Sequence, residues 1–223
     1  MPTAVAENYL KQLYYEQQSA SGELVHVGKL AAAIGVTAGT ATTMVKSLTR
    51  AGWTVYEPRT GVRLTRRGKR LALSVVRRHR LLELFLSKVL GLDWSEVHDE
   101  AEILEHAVSE KVVEKIDALL GRPLVDPHGD PIPTASGDLP KHPATTLADC
   151  PLDRPVNIVR IMGADQDRDF LHFLDRNGLI PGASVTVRQR HLAAQAMQIE
   201  VSKHAPIAFG TTAAKRILVK LKN

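Results

Sequence analysis

LVHVGKLAAAIGVTAGTATTMVKSLTRAGWTVYEPRTGVRLTRRG, residues 24–68, decides the fold. Val27–Ile34 reads as a short helix, and Gly35 is a natural stop because glycine accepts the left-handed backbone that ends helices. Thr37 can cap a second helix from Ala38 to about Ala51, with Ala41, Val45 and Leu48 inward and Gly52 at its end. WTVYEP and VRLT are β-rich runs that flank RTG, a hairpin with a glycine turn. Helix, tight turn, helix and basic hairpin together make a winged helix-turn-helix.

The second helix opens with Thr37, Gly39, Thr40, Thr42 and Thr43. Threonine is a poor helix former, so propensity does not explain the cluster. At a helix start facing DNA, hydroxyls and backbone N–H groups can bind phosphate, and threonine methyls can touch thymine methyls. The blander alternative is that they cap the helix and face water. No Arg, Asn or Gln stands at the helix start for a bidentate base contact, so DNA shape is expected to carry much of the readout. Lys46, Arg50, Arg59 and Arg63 are expected to bind phosphate.

Upstream, Tyr9, Leu10, Leu13 and Tyr14 form a helical stripe. Downstream, Lys69 to about Leu90 reads as one long helix stopped by Gly91, and Ser95 as the cap of a helix running to about Leu120. Residues 121–152 are rich in Pro, Gly, Ser and Asp and read as irregular linker. In the remainder, VNIVRIM, SVTVRQR, MQIEVSK and RILVKL alternate as strands do, with one short helix in QDRDFLHFLDRNG. The expected fold is mainly α, with a winged helix-turn-helix (1–68), a helical dimerisation and metal-binding domain (69–124), a linker (125–152) and a small SH3-like β-barrel (153–223).

Charge is segregated. Leu24–Leu82 holds twelve Lys or Arg and one acid, Glu57, whereas Glu83–Asp117 holds ten acids and three bases. That swing suggests a nucleic-acid-facing half and a cation-holding half. No apolar run reaches the roughly 18–20 residues that span a bilayer, and the first residues lack a signal-peptide pattern, so a cytoplasmic location without membrane contact is expected. The single cysteine, Cys150, excludes an intrachain disulfide and a multi-cysteine zinc site.

In AEILEHAVSE, residues 101–110, Glu102, Glu105 and His106 lie three and four apart, on one face if the stretch is helical. His98 joins them, and the preceding helix carries His79 and Glu83 one turn apart. Two helices presenting imidazole and carboxylate can enclose a divalent cation. Without thiolate or thioether the set suits Mn(II) or Fe(II), with Zn(II) and Co(II) able to bind by affinity alone. The alternatives are a solvated acidic face, a metal-independent winged-helix regulator and a di-metal enzyme. Nothing in the sequence marks a pocket for a small-molecule substrate, so no enzyme is expected. An interaction module at the C-terminus would want aromatic residues, but Phe170, Phe173 and Phe209 are the only ones after Trp94 and read as core.

ENYLKQLY, RRHRLLELFL, GLDWSEVHDEAEILEHAVSE and DPHGDPIP, in this order, resemble the diphtheria toxin repressor (DtxR/MntR) family of metal-dependent transcriptional regulators, and the C-terminal part resembles its FeoA-type domain. The resemblance covers essentially the whole chain. It implies a homodimer on a palindromic double-stranded operator, repressing metal uptake or controlling export when the ion is plentiful. It also implies an activating site of Asn8, His79, Glu102, Glu105 and His106. Within that resemblance, glutamate at 102 and no Met at 8 favour the manganese branch, with an iron-responsive regulator of the same family as the alternative. The manganese branch usually has aspartate where Asn8 stands, and some members carry a glutamate for a second ion where Lys11 stands. A second family site is implied in two versions: His79, Glu83 and His98 with Gln166 or Asp169, or Glu83 with Asp126, His128 and a C-terminal acid.

Overall fold

The computed structural model describes residues 2–19, 24–139, 144–163, 167–201 and 206–222. The chain forms two compact units: 1–79 with 105–108 and 133–139, and 80–104 with 109–132 and 140–223.

In the first unit, α1 (Ala4–Ser19), α2 (Val27–Ile34) and α3 (Ala38–Arg50) precede a hairpin of β1 (Thr54–Glu57) and β2 (Gly61–Leu64). The helix-turn-helix forms for the local reasons written in its sequence. His26 caps α2 through Gly28 N, Gly35 ends it at φ 76°, and Thr37 Oγ1 accepts from Thr40 N to start α3. Tyr9, Leu10, Leu13, Leu30, Ala41, Val45, Leu48 and Val62 form its core. The wing pairs Thr54 with Leu64 through Glu57 with Gly61. Thr65 then anchors the next helix, α4 (Arg66–Lys88): its carbonyl accepts from Lys69 N and its hydroxyl donates to the Trp53 carbonyl.

In the second unit, α5 (Val97–Leu104) and α6 (Glu110–Leu119) replace the single helix expected from 95 to 120. Residues 105–108 turn out of helix, so Glu105 and His106 are turn residues rather than part of a helical face. Ser95 does not cap α5; its amide and hydroxyl both donate to Asp93.

The stretch expected as linker is built into structure. Val125 bridges to Pro131, Asp126, His128 and Ile132 are buried, and β3 (Thr145–Thr146), Leu147 and Cys150 belong to the C-terminal sheet and core. That domain therefore begins before 153. It contains β4 (Pro155–Ile161), α7 (Arg168–Arg176), β5 (Ser184–His191), β6 (Ala196–Val201), β7 (Ile207–Gly210), α8 (Thr211–Ala214) and β8 (Ile217–Leu221). The strands form one six-stranded sheet in the order β3-β8-β4-β5-β6-β7, with antiparallel pairing throughout. Bulges after Ile158 and Val187 bend it, as a small barrel-like sheet requires. Phe209 is core and Phe170 packs against it, but Phe173, expected inside, is 44% exposed.

Among the described glycines of the first unit, Gly68 is the most closely approached: a Cβ there would lie 1.9 Å from the Trp53 carbonyl oxygen. Gly68→Ala is therefore expected to lower unfolding free energy by about 1–3 kcal/mol. Urea denaturation checks this, and a wild-type midpoint would refute the packing argument.

Candidate metal centre and nucleic-acid interface

Among the described residues, each unit gathers side chains that could ligate a metal. In the first, Glu105 is the centre, with no side-chain exposure. Its Oε1 accepts from Lys11 Nζ at 2.7 Å, and its Oε2 accepts from His79 Nδ1 at 2.7 Å. His106 Nε2 lies 3.2 Å from Glu105 Oε1 and 2.6 Å from Asn8 Oδ1, while its Nδ1 is 2.7 Å from Glu7 Oε2. Arg78 Nη2 pairs with the same Glu7 oxygen at 2.8 Å. If Nδ1 carries the ring proton and donates it to Glu7, Nε2 points a lone pair at two oxygens, as a metal-ligating imidazole backed by a carboxylate does. Burial pulls the Glu105 carboxyl upward, but the His79 hydrogen bond and charge and the Lys11 charge outweigh it and hold it below the ordinary range.

The second cluster is more deeply buried. Glu83, Asp126 and His128 each offer a ligand atom, all within 4.8 Å of one another. The turn DPHGDP is shaped by Asp126, whose Oδ1 accepts from His128 N and Asp130 N. Gly129 adopts φ +85°, where a side chain would be strained, and a Cβ would lie 2.0 Å from the Val159 carbonyl oxygen. The turn is thereby pressed on β4, where Ile161 N donates to the His128 carbonyl. His128 Nε2 sits 2.9 Å from the Trp94 carbonyl, which can only accept, so Nε2 bears a proton, and in the neutral ring Nδ1 is the nitrogen left with a lone pair. That lone pair faces Glu83 Oε2 at 4.0 Å. With a neutral His128, two acceptors turned toward each other beside Asp126 could serve a hard divalent cation.

Burial, then the Asp130 and Glu83 charges, push the Asp126 carboxyl well above its ordinary range against the pull of Arg80. Arg80 Nε is 3.5 Å from Asp126, and both Arg80 and Arg160 pair with Asp130.

His98 bridges Glu83 at 3.2 Å and Glu102 at 3.7 Å within the second unit. Glu83 therefore touches residues of both versions of the second family site. Asp169 is exposed in the first turn of α7 and joins no three-donor group among the described residues. Gln166 lies outside the described residues. Sequence reasoning did not assign a ligand-supporting role to Glu7, Arg78 or Trp94; their roles come from contacts between distant segments, for which the sequence carries no spacing signal.

On the DNA-reading side, Thr37, Gly39, Thr40, Thr43, Lys46, Arg50, Arg59 and Arg63 are exposed and Thr42 is half-buried. The threonine hydroxyls are engaged by their own helix. Thr42 donates to the Ala38 carbonyl at 2.7 Å and Thr43 to Gly39 at 3.1 Å, while Thr37 and Thr40 bond each other. The expected hydroxyl–phosphate contacts are thus weakened for Thr42 and Thr43, whose single protons already have acceptors. Arg59 stands at the wing tip with φ 70°.

Residues 1–62 match the iron dependent repressor N-terminal DNA binding domain, 65–134 the iron dependent repressor metal binding and dimerisation domain, and 145–221 the FeoA domain. A solved structure of a manganese-dependent transcriptional repressor in complex with manganese matches with a TM-score of 0.84 at 38% identity, covering 97% of this chain and 100% of that one. The chain belongs to the iron-dependent repressor family. Within the DtxR/MntR group, iron-dependent repressor IdeR of Mycobacterium leprae is 36% identical over 135 residues, 56% of this chain and 58% of that protein. The match therefore spans little more than half of that relative. The HTH-type transcriptional regulator MntR of Lysinibacillus sphaericus (strain C3-41) is 33% identical over 120 residues, 54% of this chain and 84% of that protein.

The raised Asp126 carboxyl has a stability consequence without metal. Its cost is absent below the ordinary carboxylate range, grows as pH rises through that range, and is complete above the raised value. Asp126→Asn keeps a carbonyl for the two turn amides and removes the charge. In chelator at neutral pH it is expected to raise the melting temperature; with Mn(II) the metal-induced increase is expected to shrink. Calorimetry in both buffers checks both signs, and a fall in chelator would contradict the electrostatic account.

Proposed function

We propose that this chain is a manganese-responsive transcriptional repressor of metal-transport genes, acting in the cytoplasm as a homodimer on a palindromic operator. The observation that carries the reading is the buried Glu83–Asp126–His128 group, with the His128 tautomer set by the Trp94 carbonyl. Oxygen and imidazole donors without sulfur favour Mn(II) over softer ions, and Cys150 is buried in the C-terminal core with its thiol on the Leu147 carbonyl. Fe(II) remains the second reading, favoured by the IdeR likeness. Zn(II) and Co(II) would substitute by affinity.

Glu83, Asp126 and His128 would hold one ion, and Asn8, His79, Glu105 and His106 would hold another. When bound, the ion supplies positive charge to carboxylates that otherwise crowd one another. In the first unit, Asn8 comes from α1, which shares the core of the helix-turn-helix, while His79 comes from α4. Tying α1 to α4 and to the turn at 105–106 stiffens the reading head. Metal then favours the DNA-competent arrangement by its differential affinity for it. Glu102, also a residue of the implied activating site, pairs with His98 Nε2 at 3.7 Å.

Titrating a palindromic operator fragment with Mn(II), Fe(II) or chelator is the direct test. Tight binding is expected with Mn(II) and weak, salt-sensitive binding with chelator. Equal affinity in all three would sink the reading. Arg59→Ala is expected to weaken binding to every sequence alike and to reduce the salt slope by about 1. A loss confined to one operator sequence would show base reading by the wing instead.

A further inference from the structure

The cluster around Glu105 contains its own cation. Lys11 is 5% exposed, yet its ammonium lies 2.7 Å from a carboxylate with no exposure at all. The lysine reaches it from α1, across 94 residues of chain. A lysine buried in this way is held there by the carboxylate, because an ammonium taken out of water needs a partner charge. The oxygen that Lys11 engages, Oε1, is also the one nearest His106 Nε2, at 3.2 Å. Lys11 and the candidate ligand His106 therefore converge on the same carboxylate oxygen. Glu7, the other acid here, is met by Arg78.

We propose that Lys11 is a resident cation of this cluster and the residue that sets its metal threshold: a divalent ion drawing on Glu105 Oε1 must displace the Lys11 ammonium. The inference rests on the metal-responsive reading of the chain and adds a term to it. Lys11 keeps Glu105 compensated and the turn at 105–108 in place without metal. It also makes occupancy of this cluster require more free ion than the ligands alone would set. In the cluster of Glu83, Asp126 and His128 the neighbouring cation is Arg80, 3.5 Å from Asp126 and so looser than Lys11 on Glu105 at 2.7 Å, so the two centres should differ in affinity.

The test is Mn(II) titration calorimetry of the full chain in an Asp126→Asn background, which suppresses the second centre. Lys11→Met, close in length but uncharged, is compared with Lys11→Arg, which keeps the charge. Lys11→Met is expected to bind Mn(II) about tenfold more tightly or better, since a unit charge beside the ligand oxygen is gone. The same substitution should melt at lower temperature than its parent in chelator, with Mn(II) restoring the difference. Lys11→Arg should stay near the parent affinity. Unchanged or weaker Mn(II) binding in Lys11→Met would overturn the proposal, as would an unchanged melting temperature in chelator. Should Lys11→Met fail to fold, Lys11→Gln provides the same reading, with the amide donating to Glu105. Failure here with Mn(II)-dependent operator binding intact in the unmodified chain overturns only the role of Lys11; loss of that dependence overturns the functional reading itself.

Discussion

One buried carboxylate constrains the first unit more than any other group. Glu105 has no exposure, and its two oxygens meet Lys11 from α1, His79 from α4 and the neighbouring His106. Lys11 and His79, which donate to it, lie on different helices, so the carboxylate is satisfied only when both are in place. Removing one partner from a buried ion pair costs about 3–5 kcal/mol, because the remaining charge is stranded. This explains why residues 105–108 belong with the winged helix in one compact unit although the helices on either side of them belong to the other.

The second unit solves the opposite problem. Its cluster gathers Glu83 and Asp126 with Asp130 nearby, and Arg80 answers only part of the charge, since Asp126 is still pushed upward. Here the backbone does the positioning. Asp126 folds the turn by accepting from two amides, Gly129 permits close approach to β4, and the Trp94 carbonyl turns the His128 ring. A site whose ligands are fixed by backbone contacts and whose charge is incompletely answered is pre-organised for a cation. A site already answered by lysine must rearrange to take one.

The winged helix was legible because every signal for it is local. The stop at Gly35, the cap at Thr37, the inward triplet of Ala41, Val45 and Leu48, and the glycine at the wing each act within a few residues. The break at 105–108 was not legible, since AEILEHAVSEKVVEK contains neither glycine nor proline and keeps helical spacing; the turn there holds Glu105 against Lys11, 94 residues away, a contact that no local signal announces. Composition misled in DPHGDPIP for a related reason. Proline, glycine and aspartate mark a turn, but they do not say whether the turn is solvated or packed on a sheet. Of the candidate ligands, the His and Glu types were readable from spacing, whereas their grouping into two centres depended on which segments pack together. Lys11 was readable only as a departure from a family pattern, not as the partner of Glu105.

The DNA-reading surface explains why such centres would matter to function. Thr42 and Thr43 direct their hydroxyl protons into their own helix, and no amide or guanidinium side chain stands at the start of α3. Lys46, Arg50, Arg59 and Arg63 are exposed and suited to phosphate, a contact that positions a protein without reading sequence. A single head of this kind gains affinity for any duplex and little discrimination among duplexes. Discrimination must then come from two heads held at a spacing that matches one helical turn or its multiples, and from the shape of the DNA between them. Under that condition, stiffening the link between α1 and α4 would change specificity more than contact area, and an ion held by Asn8 of α1 and His79 of α4, as proposed above, would do so.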